Sequence, residues 1–125
     1  MNAIHDGLFE LAVDGTLTLI GGYSATSGRF HFPLLDTCPY SGARDVERVL
    51  LSRDGTLWAW TAVTAAPPGY EGPVPYGFGV VELTREKLRV ITRLREADPA
   101  RLTFGQHMTL VADELDGGVV TWAFA

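Results

Sequence analysis

The sequence has 125 residues, of which 46% are hydrophobic and 20% are charged, and this suits one globular domain rather than two full ones. A formal net charge of −5 disfavours nucleic acid as a partner, because binding to the phosphate backbone requires basic surface. No stretch reaches the ~18 apolar residues of a membrane span, and the start lacks a signal peptide's basic and apolar regions, so we expect a cytoplasmic protein.

The first predicted element is a β-hairpin over residues 8–20. Two short segments rich in apolar residues flank Asp14-Gly15, a dipeptide that suits the positive φ angles of a tight hairpin turn. We therefore expect two strands that lead into the segment that follows.

Residues 24–41 keep the spacing of a zinc ribbon but only one of its four ligands. Two CxxC-type knuckles would place thiolates at positions that here hold Ser24, Ser27, Cys38 and Ser41. Gly28 and Gly42 follow the knuckles, where a tight turn favours a residue without Cβ. A serine hydroxyl stays protonated near neutral pH and is a poor zinc ligand. We therefore expect a degenerate, metal-free ribbon, and elemental analysis of the purified protein should find no stoichiometric zinc.

The ribbon segment also carries apolar side chains that something must cover. A structural zinc site is worth ~10–16 kcal/mol, and its loss must be offset by contacts with the rest of the chain or with a partner. The residues predicted to contact a partner are Phe30, Phe32, Leu34 and Tyr40 in this segment, and Tyr70 and Tyr76 further along the chain.

From Val46 onward the sequence predicts short strands rich in β-branched and aromatic residues. A helical turn is predicted at residues 98–102, with Asp98 as cap and Pro99 at the first helical position. Three strands, a short helix and two more strands is the order of an OB-fold, a five-stranded Greek-key barrel. We therefore expect a mainly β chain, with the hairpin and ribbon segment over residues 1–45 and an OB-fold domain over residues 46–125.

The loop over residues 65–76 holds four of the seven prolines between two strong strands. In an OB-fold the first loop between strands borders the ligand face, so this loop could form a binding lip that presents Tyr70 and Tyr76. The alternative is that the prolines only stiffen the connection and protect an edge.

Two groups of residues are candidates for ligand binding. Trp58 and Trp60 alternate along a strand, which predicts that both indoles lie on one face. There they could stack on a base such as the adenine of coenzyme A, but core or partner contact is favoured because no phosphate-binding motif lies near them. Arg85, Lys87 and Arg89 cluster around a turn and are the best phosphate-facing candidates, although such clusters are usually solvated surface.

No catalytic constellation is predicted. Cys38, the only cysteine, cannot form an internal disulfide and has no signature that pairs it with a histidine, so a leftover ribbon cysteine is favoured over a nucleophile. No paired carboxylates or HxxxH spacing mark a hydrolytic or metal centre. His31, inside a Phe-His-Phe step, is expected to point outward while its neighbours pack inward.

Four stretches of the sequence resemble those of a known protein family. They are GLFELAVDG (7–15), GRFHFPLLDTCPYSGA (28–43), GTLWAWTAVTAAPPGYEGPVPYGFGVVEL (55–83) and RLTFGQHMTLV (101–111). They resemble the small OB-fold proteins with an N-terminal rubredoxin-like zinc ribbon that accompany thiolases and other acyl-CoA enzymes. This resemblance implies a noncatalytic accessory or scaffold subunit in a hetero-oligomer with a thiolase-like partner, where it helps to complete the substrate channel. It implies no cofactor for the chain itself, with coenzyme A as a possible substrate moiety. The sequence departs from the family where serine replaces three ribbon cysteines.

Two rival hypotheses remain at this stage. An independent module that binds single-stranded nucleic acid would also use an OB-fold, but the acidic charge disfavours it. A stand-alone enzyme would need a nucleophile, a base and an orienting group that the sequence does not show. A thiolase-like reading frame beside the gene would support the accessory subunit.

Overall fold

The computed structural model describes residues 2–3, 7–65, 68, 74–115 and 118–125. Within these ranges the chain forms ten β-strands and one short 3₁₀ helix, Pro99–Arg101, which lies between the eighth and ninth strands. The strands are β1 (Asn2–Ala3), β2 (Phe9–Leu11), β3 (Leu17–Ser24), β4 (Arg29–His31), β5 (Val46–Leu50), β6 (Asp54–Val63), β7 (Tyr76–Leu83), β8 (Leu88–Leu94), β9 (His107–Leu115) and β10 (Val119–Phe124). No helix in the described part of the chain is long and apolar enough to cross a membrane.

Five of these strands close into a barrel in the order β6, β7, β8, β10, β9 and back to β6. The β6–β7, β7–β8, β9–β10 and β6–β9 pairs are antiparallel, and β10 joins β8 in parallel where Phe124 lies opposite Leu94. The 3₁₀ helix has the predicted cap, because the Asp98 side chain accepts a hydrogen bond from the Ala100 N–H at 3.0 Å. The predicted OB-fold is confirmed.

A second sheet is built around the long strand β3. The predicted hairpin is confirmed, because β2 pairs antiparallel with β3 and places Phe9 opposite Leu19. Its turn needs only one left-handed residue, Gly15 with φ 89°, while the Asp14 carboxylate accepts a hydrogen bond from the Thr16 N–H at 2.9 Å. Strand β4 also pairs with β3.

Strand β5, which the sequence pattern groups with the barrel strands, pairs with β3 instead. Its register runs from Ser24 opposite Val46 to Ile20 opposite Leu50. Period-2 patterning identifies a strand but does not say which neighbour it pairs with. The boundary at residue 45 stays a prediction, while the strand pairing of the N-terminal sheet extends to Leu50.

The two sheets share one hydrophobic core. Phe9, Leu17 and Leu19 from the N-terminal sheet pack in the same buried cluster as barrel residues such as Leu57 and Phe124. A protein of this size buries only a modest apolar core. Packing against the barrel core therefore anchors a ribbon segment in which serine occupies three of the four ligand positions.

Candidate functional site

The two knuckles of the ribbon face each other as their spacing predicts. The Cys38 Sγ lies 3.4 Å from the Ser27 Oγ, and the Cys38 side chain is buried. Each knuckle closes on a left-handed glycine: the Gly28 N–H donates to the Ser24 carbonyl at 2.8 Å, and the Gly42 N–H donates to the Cys38 carbonyl at 2.9 Å. The ribbon frame therefore persists with hydroxyl groups at three of the four ligand positions.

Asp45 orders the first knuckle, a role that was not predicted from the sequence. Its carboxylate accepts hydrogen bonds from the Ser24 Oγ at 2.6 Å, the Thr26 N–H at 2.9 Å and the Thr26 Oγ1 at 2.8 Å. Donation by Ser24, followed by donation from Thr26, lowers the pKa of Asp45 to about 2. A charged acceptor thus holds the knuckle together where metal–thiolate bonds would otherwise do so.

The described residues contain no group of three or more His, Cys, Asp or Glu side chains that could hold a metal ion. Three serines and one cysteine are a poor donor set for zinc, because only the cysteine readily supplies a charged ligand. The absence of zinc from the purified protein stays a prediction.

The knuckle hydroxyls also set the acidity of Cys38. Hydrogen bonding of the Cys38 sulfur with the Ser27 and then the Ser41 side chains lowers the pKa of the thiol from its ordinary value of 9.0 to about 6. We expect an ultraviolet titration of the thiolate to give a midpoint near 6. The unfolded chain binds more protons than the folded one between pH 6 and 9, so the free energy of unfolding should rise with pH in this window, and the stabilisation should be lost as pH falls through about 6.

The Ser27→Ala variant should move the thiolate midpoint towards 9, because it removes the largest cause of the shift. The Cys38→Ser variant is the control: it should lose both the thiolate absorbance and this part of the pH dependence of stability. A midpoint at the ordinary thiol value in the unaltered protein would contradict the hydrogen-bonded geometry.

His31 is buried, so the expectation that it points outward is wrong. Its ring lies over Gly22, the residue opposite it on β3, and a Cβ on that glycine would collide with the imidazole. The His31 Nε2 accepts a hydrogen bond from the Leu35 N–H at 3.3 Å. Glycine on the neighbouring strand makes the room that an alternating pattern does not reveal.

The aromatic residues predicted for partner contact are only partly free to make it. The Phe30 and Phe32 rings pack against the core, with Phe30 4.8 Å from Tyr23 and Phe32 in an edge-on contact 5.7 Å from Trp122. Leu34 is half-buried. Other residues of the same chain thus cover much of the apolar surface of the ribbon segment. Partner contact by Phe30, Phe32 and Leu34 stays a prediction.

The tyrosines predicted for partner contact divide differently. Tyr40 is 49% exposed, and the Arg29 guanidinium lies over its ring at 4.5 Å. Tyr76 is half-buried, and the Arg93 guanidinium lies 4.8 Å above its ring. Tyr70 and most of the proline-rich loop lie outside the described residues, so the proposed binding lip stays a prediction.

Trp58 and Trp60 do not share one face, contrary to the prediction. A register shift between Leu57 and Ala59 forms a bulge, which breaks the two-residue alternation between the tryptophans. Trp58 is exposed beneath the Arg89 guanidinium, 3.9 Å from its Cζ. Trp60 packs against the core and donates a hydrogen bond from its Nε1 to the Pro99 carbonyl at 3.1 Å. Base stacking by the two rings together is therefore not available.

The predicted basic cluster does not act as one group. The Arg85 guanidinium lies 3.4 Å from the Glu86 carboxylate. The Arg89 guanidinium stacks on the Trp58 ring and lies 3.5 Å from the Glu82 carboxylate. Lys87 forms no ion pair with any described residue. Phosphate binding by these three residues stays a prediction, with the lysine as the member whose charge is unengaged.

An apolar surface that was not predicted from the sequence lies on the outside of the barrel. We call it the outer patch, and it is lined by Ala59, Thr61, Phe78, Val80 and Ile91. Cross-strand register brings it together, because Val80 lies between Ala59 and Ile91. Ile91 is 65% exposed, whereas the next residue, Thr92, is buried. An exposed isoleucine beside a buried threonine reverses the usual preference for apolar residues in the interior. The alternation along β8 indicates it, because Val90 and Leu94 occupy inward positions and Ile91 an outward one.

The outer patch is bordered by arginine and aromatic pairs. Arg89 over Trp58 lies towards one end, and Arg93 over Tyr76 lies towards the other. An apolar centre with aromatic and arginine residues around it is the composition typical of protein interfaces.

Comparison with known proteins agrees with this architecture. Residues 48–113 match the family described as the C-terminal OB-fold domain of ChsH2. Subunit BbsA of benzoylsuccinyl-CoA thiolase from Thauera aromatica is 32% identical over 121 residues, which cover 90% of this chain and 79% of that protein. A DUF35 domain-containing scaffold protein from Pyrococcus furiosus is 30% identical over 97 residues, with coverage of 78% and 70%.

A solved structure, that of the Ltp2-ChsH2(DUF35) aldolase, contains a similar chain with a TM-score of 0.66 and 25% identity, covering 86% of this chain and 83% of the other. The match to residues 48–113 covers the barrel strands β6, β7 and β8 and most of β9, and the relatives extend the likeness into the ribbon segment. The chain therefore belongs to the family of the ChsH2 C-terminal OB-fold domain.

Proposed function

We propose that this chain is a noncatalytic accessory subunit that serves as a scaffold in a thiolase-like acyl-CoA enzyme complex and helps to form the acyl-CoA channel. The observation that carries the proposal is its 32% identity to a named thiolase subunit over 90% of its length. The names of other relatives, scaffold proteins and the Ltp2-ChsH2 aldolase, point to the same kind of role. A hetero-oligomeric state and a cytoplasmic location are part of this proposal.

The described residues support a noncatalytic role. Cys38, the one thiol, is 1% exposed, so a substrate has no access to it. His31 is also buried, and its Nε2 is occupied by a backbone N–H. His107 and Asp54 form an exposed pair at 3.0 Å on the barrel surface. A positioned nucleophile beside that pair would be needed for acyl transfer.

The outer patch is the surface that we assign to the thiolase-like subunit. Its exposed aliphatic and aromatic groups lose contact with water when a partner covers them, and the arginine and aromatic pairs at its ends can act as anchors. The likeness to a named thiolase subunit favours a different subunit, rather than a second copy of this chain, as the partner that covers the outer patch.

Coexpression with a thiolase-like subunit from the same organism tests the proposal. We expect the two chains to co-purify in a fixed ratio on gel filtration and acyl-CoA turnover to require both. The proposal fails if the chains elute separately, or if this chain alone turns over the substrate. The nucleic-acid alternative would be favoured instead if the chain does not bind the thiolase-like subunit but binds single-stranded oligonucleotides with micromolar, salt-sensitive affinity.

A further inference from the structure

A polar cavity lies between the first ribbon knuckle and the turn that joins β7 to β8. We call it the knuckle cavity; its volume is about 260 Å³, and it is lined by Gly28, Arg29, Phe30, Tyr40, Glu86 and Lys87. Arg29 and Phe30 lie on β4 of the N-terminal sheet, and Glu86 and Lys87 lie in the turn between two barrel strands, so the cavity exists only because the ribbon segment packs against the barrel.

The knuckle cavity is lined by basic side chains that have no ion pair with a described residue. Of the ten basic side chains, the seven that contact a carboxylate or a backbone carbonyl are Arg48, Arg53, Arg85, Arg89, Arg93, Arg95 and Arg101. Arg29, Arg44 and Lys87 have no such partner among the described residues. Two of these three line the knuckle cavity, in a chain whose net charge is negative.

Neither cation is neutralised by a described residue, and Arg29 is also held in place. The Arg29 guanidinium rests on the Tyr40 ring at 4.5 Å, which orients it and leaves its N–H groups available. Lys87 has a φ of 54°, a left-handed conformation in which Gly or Asn would be locally more favourable. The turn itself therefore gains nothing from a lysine at this position.

Among the described residues, Glu86 is the one carboxylate that lines the knuckle cavity. Its side chain is fully buried, and its Oε2 accepts a hydrogen bond from the Ser52 N–H at 2.7 Å and lies 3.4 Å from Arg85, whereas its Oε1 has no hydrogen-bond partner among the described residues. These contacts offset part of the negative charge of Glu86, so Arg29 and Lys87 keep the cavity attractive to an anion. A phosphate monoester suits two cations better than a carboxylate does, because it carries a charge near −2 and three acceptor oxygens.

We propose that the knuckle cavity binds the phosphate monoester of coenzyme A, with Arg29 and Lys87 as the residues that pair with it. The choice of coenzyme A rests on the proposed function, whereas the preference for a phosphate monoester rests on the two uncompensated cations. The site would then hold the polar end of the substrate carrier while the partner subunit acts on the acyl end.

Isothermal titration calorimetry on the isolated full chain tests this proposal. The probes are coenzyme A, dephospho-coenzyme A, which lacks the 3′-phosphate, and inorganic phosphate. We expect coenzyme A to bind at least about tenfold more tightly than dephospho-coenzyme A, because charge-assisted hydrogen bonds to the monoester are lost. Inorganic phosphate should compete with coenzyme A, and added salt should weaken binding.

Arg29→Gln and Lys87→Gln should each weaken coenzyme A binding at least about tenfold and remove the preference over dephospho-coenzyme A. Arg44→Gln is the matched control, because Arg44 is also exposed and has no ion pair with any described residue, but it does not line the knuckle cavity. Lys87→Gly should lose the same binding without lowering the unfolding temperature, since glycine suits the left-handed turn.

The proposal is overturned if coenzyme A does not bind, if it binds no better than dephospho-coenzyme A, or if Arg44→Gln weakens binding as much as the cavity variants do. The proposed function is judged separately, because co-purification with the thiolase-like subunit does not depend on added coenzyme A. If the chain co-purifies with the thiolase-like subunit but does not bind coenzyme A, only the phosphate site is refuted.

Discussion

Replacement of Ile91 by Asp is expected to abolish co-purification with the thiolase-like subunit while leaving the chain folded. Ile91 is 65% exposed and lies next to Val80 at the centre of the outer patch. A carboxylate there would be buried without a partner on association, at a cost of several kcal/mol, so complex formation should weaken by two or more orders of magnitude. In the free chain the same carboxylate stays in water, and the free energy of unfolding should change by less than about 1 kcal/mol.

Phe104→Asp is the matched control for this prediction. Phe104 has the same 65% exposure, but it lies in the turn before β9 and outside the outer patch. Co-purification and gel filtration should therefore separate the two variants, with the complex kept by Phe104→Asp and lost by Ile91→Asp. Equal retention of the complex by both variants would remove the outer patch from the interface. Equal loss would show that exposed aromatic and aliphatic groups are needed in general.

Much of the fold could be predicted because the signals are local. The order of strands around a Pro99-led turn identified the barrel, and Asp14-Gly15 identified the hairpin. The knuckle glycines at 28 and 42 take the left-handed conformation that their spacing indicated. Each strand or turn in these features depends on residues within a few positions of one another, where propensity and turn chemistry act directly.

The features that could not be predicted depend on contacts between distant segments. Asp45 became the organiser of the first knuckle only because β5 folds back beside β3, which brings its carboxylate to Ser24 and Thr26. Strand alternation failed at Trp58 because one extra residue in a bulge reverses the phase of every side chain beyond it. Neither event leaves a signature in the local sequence.

The candidate site follows the same division. The position of Lys87 in a turn was evident from the sequence, but its proximity to Arg29 arises from the packing of the ribbon segment on the barrel. The outer patch was recoverable in principle, because Ile91 occupies an outward position of β8 while Thr92 occupies an inward one. Placing it beside Phe78 and Val80 required the register of three strands.

Replacement of Leu19 by Ala is expected to lower the free energy of unfolding of the whole chain by about 2–5 kcal/mol. Leu19 lies on β3 and is fully buried in the core that the N-terminal sheet shares with the barrel. If the ribbon segment is anchored by this core rather than by a metal, the loss should lower the denaturation midpoints of barrel and ribbon together.

Denaturation followed by far-ultraviolet circular dichroism and by tryptophan fluorescence should give coincident transitions for Leu19→Ala, as for the unaltered chain. The fluorescence is informative because Trp122 of the barrel contacts Phe9 and Phe32 of the N-terminal part and so reports on the junction. Leu11→Ala is the control: this leucine is on the same hairpin but is 37% exposed, so its loss should cost less than about 1 kcal/mol. Separate transitions, with the barrel midpoint unchanged by Leu19→Ala, would mean that the ribbon segment folds independently and that the shared core does not anchor it.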